Sequence, residues 1–348
     1  MLKIEERLQK KYCFFATQFY ELISDISKLS VIHYKLSTKK EMFGTFKIAL
    51  RFIKFYHKAK TKYNVHSPFV FEFINSVLEE NRQFYVFKEA EILRDQLLAS
   101  KDVLAVEDFG AGSHVDGTKK QRRVRDIAAS ALSPAFQCQW LFHICNTYKP
   151  LTIIELGTSL GVSTLYITEG CPTETQIFTL EGSTAIAQTA RRNFDWFYNT
   201  FNKIGLKRAN LEMLNYAAVY EKLIPIVASE KRIKIVVGNF NETYKNTLHK
   251  VGKLDLAFLD GNHRYEPTMQ YFHQSLAHTH EGSILIFDDI HWSEDMEKAW
   301  TEIQSHPSVR LTIDLFWCGL VFFRHENKEK EHFKLIQSKW KPFSWGLW

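Results

Sequence analysis

The stretch Ile153-Ile154-Glu155-Leu156-Gly157-Thr158-Ser159-Leu160-Gly161-Val162-Ser163-Thr164 constrains this chain more than any other. A β-branched apolar run ends in an acid, a glycine turn follows, and a helical pattern begins. Glycine carries no Cβ, so such a junction lets backbone N–H groups come close to a ligand at the start of a helix. The spacing is Glu-x-Gly-x-x-x-Gly. A dinucleotide-binding turn needs Gly-x-Gly-x-x-Gly before its helix, so the junction belongs to a different class of α/β protein.

From Leu151 onward, apolar strand patterns alternate with helical ones, as a parallel α/β sheet requires. The predicted strands are 152–156, 176–180, 233–237, 254–259, 283–287, 309–315 and 319–324. The last two are joined around Trp317-Cys318-Gly319, too short a link for a crossover helix, so they should pair antiparallel. The expected fold is therefore α/β, a Rossmann-like sheet of seven strands, five parallel plus a C-terminal antiparallel hairpin. A helical N-terminal extension precedes it. The expected domains are a helical extension over 1–41, a helical cap or substrate lid over 42–150, the sheet domain over 151–325 and a tail over 326–348. Asn64-Val65-His66-Ser67-Pro68 reads as a helix start, with Ser67 as N-cap and Pro68 in the first turn. The segment 196–230 is longer than one crossover helix needs.

The net charge of +6 is concentrated. From Lys39 to Lys62 there are 8 Lys/Arg against the single acid Glu41, and the rest of the chain is nearly neutral. Within it Lys47, Arg51, Lys54 and Lys58 share one helical face, and aromatic residues cover most of the remainder. A basic, aromatic helix of this kind can lie on an anionic membrane surface or grip an acidic partner; it can also dock on the protein's own core and leave its lysines in water. Residues 43–62 are thus a candidate for peripheral membrane contact. No apolar run reaches the ~20 residues of a membrane span. The N-terminus lacks a signal-peptide core, which makes the cytoplasm the expected location. The 5 cysteines show no Cys-x-x-Cys spacing and read as reduced thiols. A basic excess confined to one short helix argues against a nucleic-acid partner.

Ligands of open α/β sheets bind at the carboxyl ends of the strands, and here those ends carry the polar residues. The first closes with Glu155, Gly157, Thr158, Ser159 and Gly161, with Ser163 just inside the helix. The second closes with Glu181 and Gly182, a carboxylate suited to accept from two ribose hydroxyls. Asn239 and Phe240 end the third, an amide and a ring suited to line an adenine. The fourth ends in Asp260-Gly261-Asn262-His263-Arg264-Tyr265, and the fifth in Asp288-Asp289-Ile290-His291-Trp292. A second glycine cluster, Glu107 to Ser113, lies before a basic stretch and reads either as a loop that covers the active site or binds an acidic substrate group, or as a plain structural loop.

On these motifs residues 150–325 resemble the class I S-adenosylmethionine-dependent methyltransferases, and among them the catechol and caffeoyl-CoA type of O-methyltransferase. The resemblance implies that Glu155 and Glu181 hold the cofactor. It maps a Mg2+ site onto Asp260, Asp288 and Asp289, with Asp289 standing where the family usually has Asn. It puts His263 where the catechol enzymes have a lysine, three residues after Asp260. An imidazole accepts a proton near neutral pH, so His263 and Asp260 are the expected catalytic pair. The expected reaction is O-methylation of a small or lipid-like hydroxyl compound, with Mg2+ as a candidate ion. The alternatives are a metal-independent N-, S- or carboxyl-methyltransferase, and a non-catalytic membrane-surface module on the same sheet.

Overall fold

The computed structural model describes residues 39–106, 120–212 and 232–341, with side chains described from residue 47 and, in the longest helix, as far as residue 199. Two units emerge, Met1–Leu50 and Arg51–Trp348. The first described helix, α1 (Lys39–Lys58), runs from one into the other.

Unit two is built on an eight-stranded sheet. Its strands are β3 (Thr152–Leu156), β4 (Gln176–Glu181), β5 (Ile233–Val237), β6 (Leu256–Leu259), β7 (Ile284–Asp288), β8 (Leu311–Asp314), β9 (Cys318–Phe322) and β10 (Glu331–Lys334). The spatial order is β10-β8-β9-β7-β6-β3-β4-β5. Strands β5, β4, β3, β6 and β7 are parallel. Strand β9 pairs antiparallel with both β7 and β8. All seven expected strands are present, and the antiparallel hairpin closes the order as read from the short 315–317 link. The eighth strand was not expected. Residues 326–341 are no loose tail, because Glu331–Lys334 adds to the sheet edge parallel to β8. Lys341 then donates to the carbonyls of Tyr56, His57 and Ala59, which tie the C-terminal segment to the end of α1.

Parallel strands covered on both faces must be apolar on both faces, and period-two alternation sorts the side chains. Ile153, Ile177, Leu256, Phe258, Ile284 and Ile286 point to one face. There they meet Val70 to Leu78 of α2 (Pro68–Phe73) and its continuation Ile74–Leu78, and Leu141, Ile144 and Cys145 of α5 (Ala135–Tyr148). Their neighbours Ile154, Leu156, Phe178, Leu180, Ala257, Leu259, Leu285 and Phe287 point to the other face. That face is covered by α8 (Phe240–Val251), α9 (Tyr265–Leu276) and α10 (Glu294–Ser305). A third cluster joins α3 (Tyr85–Ala99), α4 (Val124–Ala131), α6 (Val162–Gly170) and α7 (Thr184–Glu212).

The helices between 68 and 148, expected as a cap, thus share a core with the sheet. The apolar Val103–Val106 forms β1 and pairs antiparallel with β2 (Lys120–Arg123), a hairpin inside the region expected to be helical. Pro68 begins α2 as read, although Ser67 caps it through its carbonyl and not its hydroxyl. The loop Glu107 to Ser113, residues 213–231 of the long insertion, and residues 1–38 lie outside the described residues.

Packing at the hairpin is close. A Cβ at Gly319 in β9 would lie 2.5 Å from the Trp300 ring of α10. Gly319 has ordinary negative φ, so the clash is steric and not conformational. Gly319→Ala should cost about 1–3 kcal/mol of stability by overpacking. Trp300→Leu in the same chain should recover most of that loss; denaturant melts of the two single variants and the double variant check the coupling.

Candidate functional site

The order of strands reverses on either side of β3, which leaves a crevice at the carboxyl ends of β3, β4 and β6. The loop after β3 fills one wall. Gly157 has φ +103°, and a Cβ there would sit 2.1 Å from the Asp260 carbonyl oxygen, so only glycine lets the ends of β3 and β6 meet. Gly161 caps α6 at φ +87°, with the Phe194 ring 2.4 Å from where its Cβ would be. The N–H groups of Gly157 and Thr158 both donate to the Leu180 carbonyl, which draws the loop over the end of β4.

Glu155 lies under this loop with no exposed surface. Its carboxylate accepts from the hydroxyls of Ser163 (2.7 Å), Thr164 (2.5 Å) and Thr179 (2.7 Å). Thr158 extends the cluster, its hydroxyl 2.6 Å from that of Thr179. Glu155 and Ser163 therefore brace β3, β4 and α6 from beneath the loop. Burial pushes the Glu155 carboxyl up to about 7, against the opposing pull of those hydroxyls.

Glu181 ends β4 and does face the crevice rim. One of its oxygens accepts from the Ser159 N–H at 2.9 Å and the other from the Ser183 N–H at 3.0 Å. Gly182 contributes a further backbone N–H. Beside it, the hydroxyls of Ser159 and Ser183 are buried and have no protein partner. Buried hydroxyls rarely go unpaired, so two beside one carboxylate fit a polyhydroxylated or amino-acid-like ligand. Asn239 caps α8 by accepting from the Asn241 N–H, and the Phe240 ring lies against Gly261, 3.1 Å from where a Cβ would be.

Across the crevice, Asp260 ends β6 and Asp288 ends β7, and their carboxyl groups hydrogen-bond to each other. Two close carboxyls in a dry site oppose each other's ionisation. Burial first, then the neighbouring acids, drives Asp288 well above the carboxylate range. Burial also raises Asp260, which His263 Nε2 approaches at 3.5 Å and the Ser133 hydroxyl at 3.4 Å. Asp289 adopts φ +54°, its N–H donates to the Trp317 carbonyl, and burial pushes its carboxyl up to about 6.

The Mg2+ expectation can be tested on this donor set. Asp260 spends its oxygens on His263, Ser133 and Asp288. Among the described residues no group of three or more His, Cys, Asp and Glu side chains is disposed to hold a metal ion. The residues as placed do not fit the ion, and no step below passes through one.

Three residues of the site escaped sequence reading. Ser133 arrives from the α4–α5 turn, 127 positions before its partner Asp260, and no local pattern marks it. Ser183 carried a weak signal, two residues beyond Glu181. Asn262 has φ +61° and a buried, unpartnered Oδ1, and its Nδ2 is 3.5 Å from the Tyr271 hydroxyl. That hydroxyl donates in turn to Asn241, which links the ends of β5 and β6.

The basic helix resolves toward its own protein in the part that lies in unit two. Phe52 and Phe55 are buried against Phe316, with ring centroids 4.9 and 5.4 Å away. Arg51, read as part of a solvated basic face, is ion-paired to Glu297 at 2.9 Å, while Lys54 and Lys58 are exposed. Among the described residues no helix is long and apolar enough to cross a membrane.

Residues 154–290 match the family model of a methyltransferase domain. The O-methyltransferase hkm8 of Aspergillus hancockii is 41% identical over 73 residues, 21% of this chain. The match spans 29% of that curated relative's length. Among solved structures, the SAH-bound methyltransferase PaMTH1 of Podospora anserina is 16% identical with a TM-score of 0.43, over 71% of this chain and 91% of its own. The O-methyltransferase of Bacillus cereus in complex with SAH is 17% identical with a TM-score of 0.41, over 73% of this chain and 96% of its own.

The folded Glu155 carboxyl keeps its proton to higher pH than the unfolded one. Between pH ~4.5 and 7 the folded state thus binds more protons, and Glu155 withdraws stability as pH rises through that window, by roughly 3 kcal/mol at most. Glu155→Gln, which stays neutral, should match the parent near pH 4.5 and exceed it by up to that amount at pH 8. Urea midpoints of the pair across pH 4.5–8 measure the difference directly.

Proposed function

We propose that the chain is an S-adenosylmethionine-dependent O-methyltransferase acting on a small or lipid-like hydroxyl compound; the match of residues 154–290 to the family model of a methyltransferase domain supports this reading. The observation that carries the reading is the cradle at the ends of β3 and β4. There a carboxylate is held by backbone N–H groups between two buried, unpartnered hydroxyls, above a glycine turn that opens a helix. In this reading Glu181 accepts from the ribose hydroxyls. The loop Gly157, Thr158, Ser159 and Gly161, with Gly182, surrounds the amino-acid and ribose portions, and Asn239 and Phe240 line the adenine. Glu155 and Ser163 act from beneath by fixing that loop. When bound, S-adenosylmethionine supplies a methyl group already activated by its sulfonium.

What remains for the chain is alignment and one proton. His263 sits at the rim with 30% of its side chain exposed and Nε2 turned to Asp260, which leaves Nδ1 to take the acceptor's hydroxyl proton. Asp260 holds the ring and stabilises the imidazolium that forms. Asp288 keeps a shared proton against Asp260, which limits the negative charge gathered at this end of the sheet. The crevice wall formed by α5 and its preceding turn then acts as the acceptor's side, through Ser133 and its neighbours. Mg2+ assistance through Asp260, Asp288 and Asp289 is the less favoured form of the reading, because the first of these oxygens are already engaged.

The test is calorimetric titration with S-adenosylmethionine in EDTA. Micromolar binding is expected, and Glu181→Ala should weaken it by about tenfold or more, the value of a lost charge-assisted pair. His263→Ala should leave that affinity within about twofold and lower methyl transfer by about a hundredfold, in the usual range for a lost general base. Transfer that proceeds in EDTA at the rate seen with added magnesium is the expected result. A folded parent protein that does not bind the cofactor would sink the proposal.

A further inference from the structure

Outside the crevice, one cluster of charged groups stands apart because it joins four elements around a single imidazole. His291 follows Asp288 and Asp289 on the loop after β7. Both of its ring nitrogens face carboxylates, Nδ1 at 3.1 Å from Glu297 of α10 and Nε2 at 3.0 Å from Asp314 at the end of β8. The ring stacks on Phe316 with centroids 5.2 Å apart and planes 19° from parallel. Asp314 is fully buried, also accepts from the Phe316 N–H, and pairs with Lys334 of β10. Arg51 closes the cluster. Its Nε donates to Glu297 at 2.9 Å, and its Nη1 donates to the carbonyls of His291 (3.3 Å) and Trp292 (3.1 Å).

Those two carbonyls end the turn that carries Asp289. The Trp292 N–H donates to the Asp289 carbonyl, and Asp289 itself holds the left-handed backbone conformation, which is strained for a residue with a side chain. Such a turn persists only where its surroundings over-determine it. The surroundings here are Arg51 on one side and the His291 carboxylate bracket on the other. Trp292, 55% exposed, is displayed at the turn's tip.

We infer that Arg51 is a positioning residue. Through Glu297 and the carbonyls of His291 and Trp292, it locks the 288–292 turn that presents Asp288, Asp289 and Trp292 to the acceptor side of the crevice. The catalytic part of this inference rests on the methyltransferase reading above. A planar guanidinium is required, because one group must reach a carboxylate and two carbonyls in different directions; a lysine can satisfy only part of that set.

The test uses the full chain, with Trp292 observed through 5-fluorotryptophan labelling and its fluorine resonance assigned by Trp292→Phe. In Arg51→Met, amide exchange of Ile290 to Trp292 should accelerate by about tenfold or more, while the Gly157–Gly161 amides keep parental protection. The Trp292 resonance should shift alone among the tryptophans, and affinity for S-adenosylmethionine should stay within about twofold of the parent. Arg51→Lys should restore part of the exchange protection. Should Arg51→Met fail to fold, Glu297→Gln, which removes the ion pair from the other side, should loosen the same amides. Unchanged exchange at 290–292 in either folded variant overturns the inference, as does uniform acceleration across the sheet. The loop readouts need no cofactor, so a parent chain that does not bind S-adenosylmethionine would end the methyltransferase reading while leaving the turn-locking result to stand or fall by itself.

Discussion

The buried carboxylate of Glu155 is the interaction on which the crevice depends. One acid, wholly out of water, gathers hydroxyls from α6 and β4 onto the end of β3. Desolvation of a carboxylate is costly, and three hydroxyl donors only partly offset it, which is why its proton is held toward neutrality. In return the strand, the turn and the helix are held in one geometry. The positive φ values at Gly157, Ser159 and Gly161 then become sustainable, and the loop amides are drawn onto the Leu180 carbonyl and the Glu181 carboxylate. Glu181, one strand over, uses its oxygens in the opposite sense. It reads the outside of the same loop through Ser159 and remains at the rim.

The far side of the crevice is organised by repulsion. Asp260, Asp288 and Asp289 arrive from two adjacent strand ends, and each has its proton affinity raised by burial. Burial and mutual repulsion both disfavour ionisation of the closely placed Asp260 and Asp288, and His263 and Ser133 lie on the remaining contacts of Asp260.

The aromatic and charged groups before the sheet serve this end of the molecule as well. Phe52 and Phe55 pack on Phe316, the residue at the tip of the β8–β9 hairpin, whose φ of +72° is strained for a side chain of that size. Phe316 in turn carries the His291 ring. Residues 51–59, the hairpin tip and the turn after β7 therefore form one packed unit, closed at its edge by β10 and by Lys341 on the carbonyls that end α1.

Much of the sheet was legible in the sequence because parallel strands buried on both faces must be continuous apolar runs, and seven such runs stand out. The acids that close these runs were legible because they interrupt them, although what each faces was not, since Glu155 is fully buried under its loop. Strand β10 was not, because Glu331-His332-Phe333-Lys334 is an edge strand half in water and carries no apolar signature. Nor could local pattern tell a solvated basic face from a docked one. Arg51 and Lys54 are three residues apart on the same helix, yet only the first finds Glu297, a residue 246 positions away. The sequence by itself determined the fold class and the order of strand types, because those follow from periodicity and from where polar groups interrupt it. Tertiary structure alone decided that Glu155 braces from beneath while Glu181 faces the rim. It also decided that Asp260 meets Ser133 and Asp288, and that Arg51 closes the turn at Trp292. Each of these is a choice of partner across distant segments, set by the packing of helices on the sheet and by the cost of leaving a buried charge unpaired.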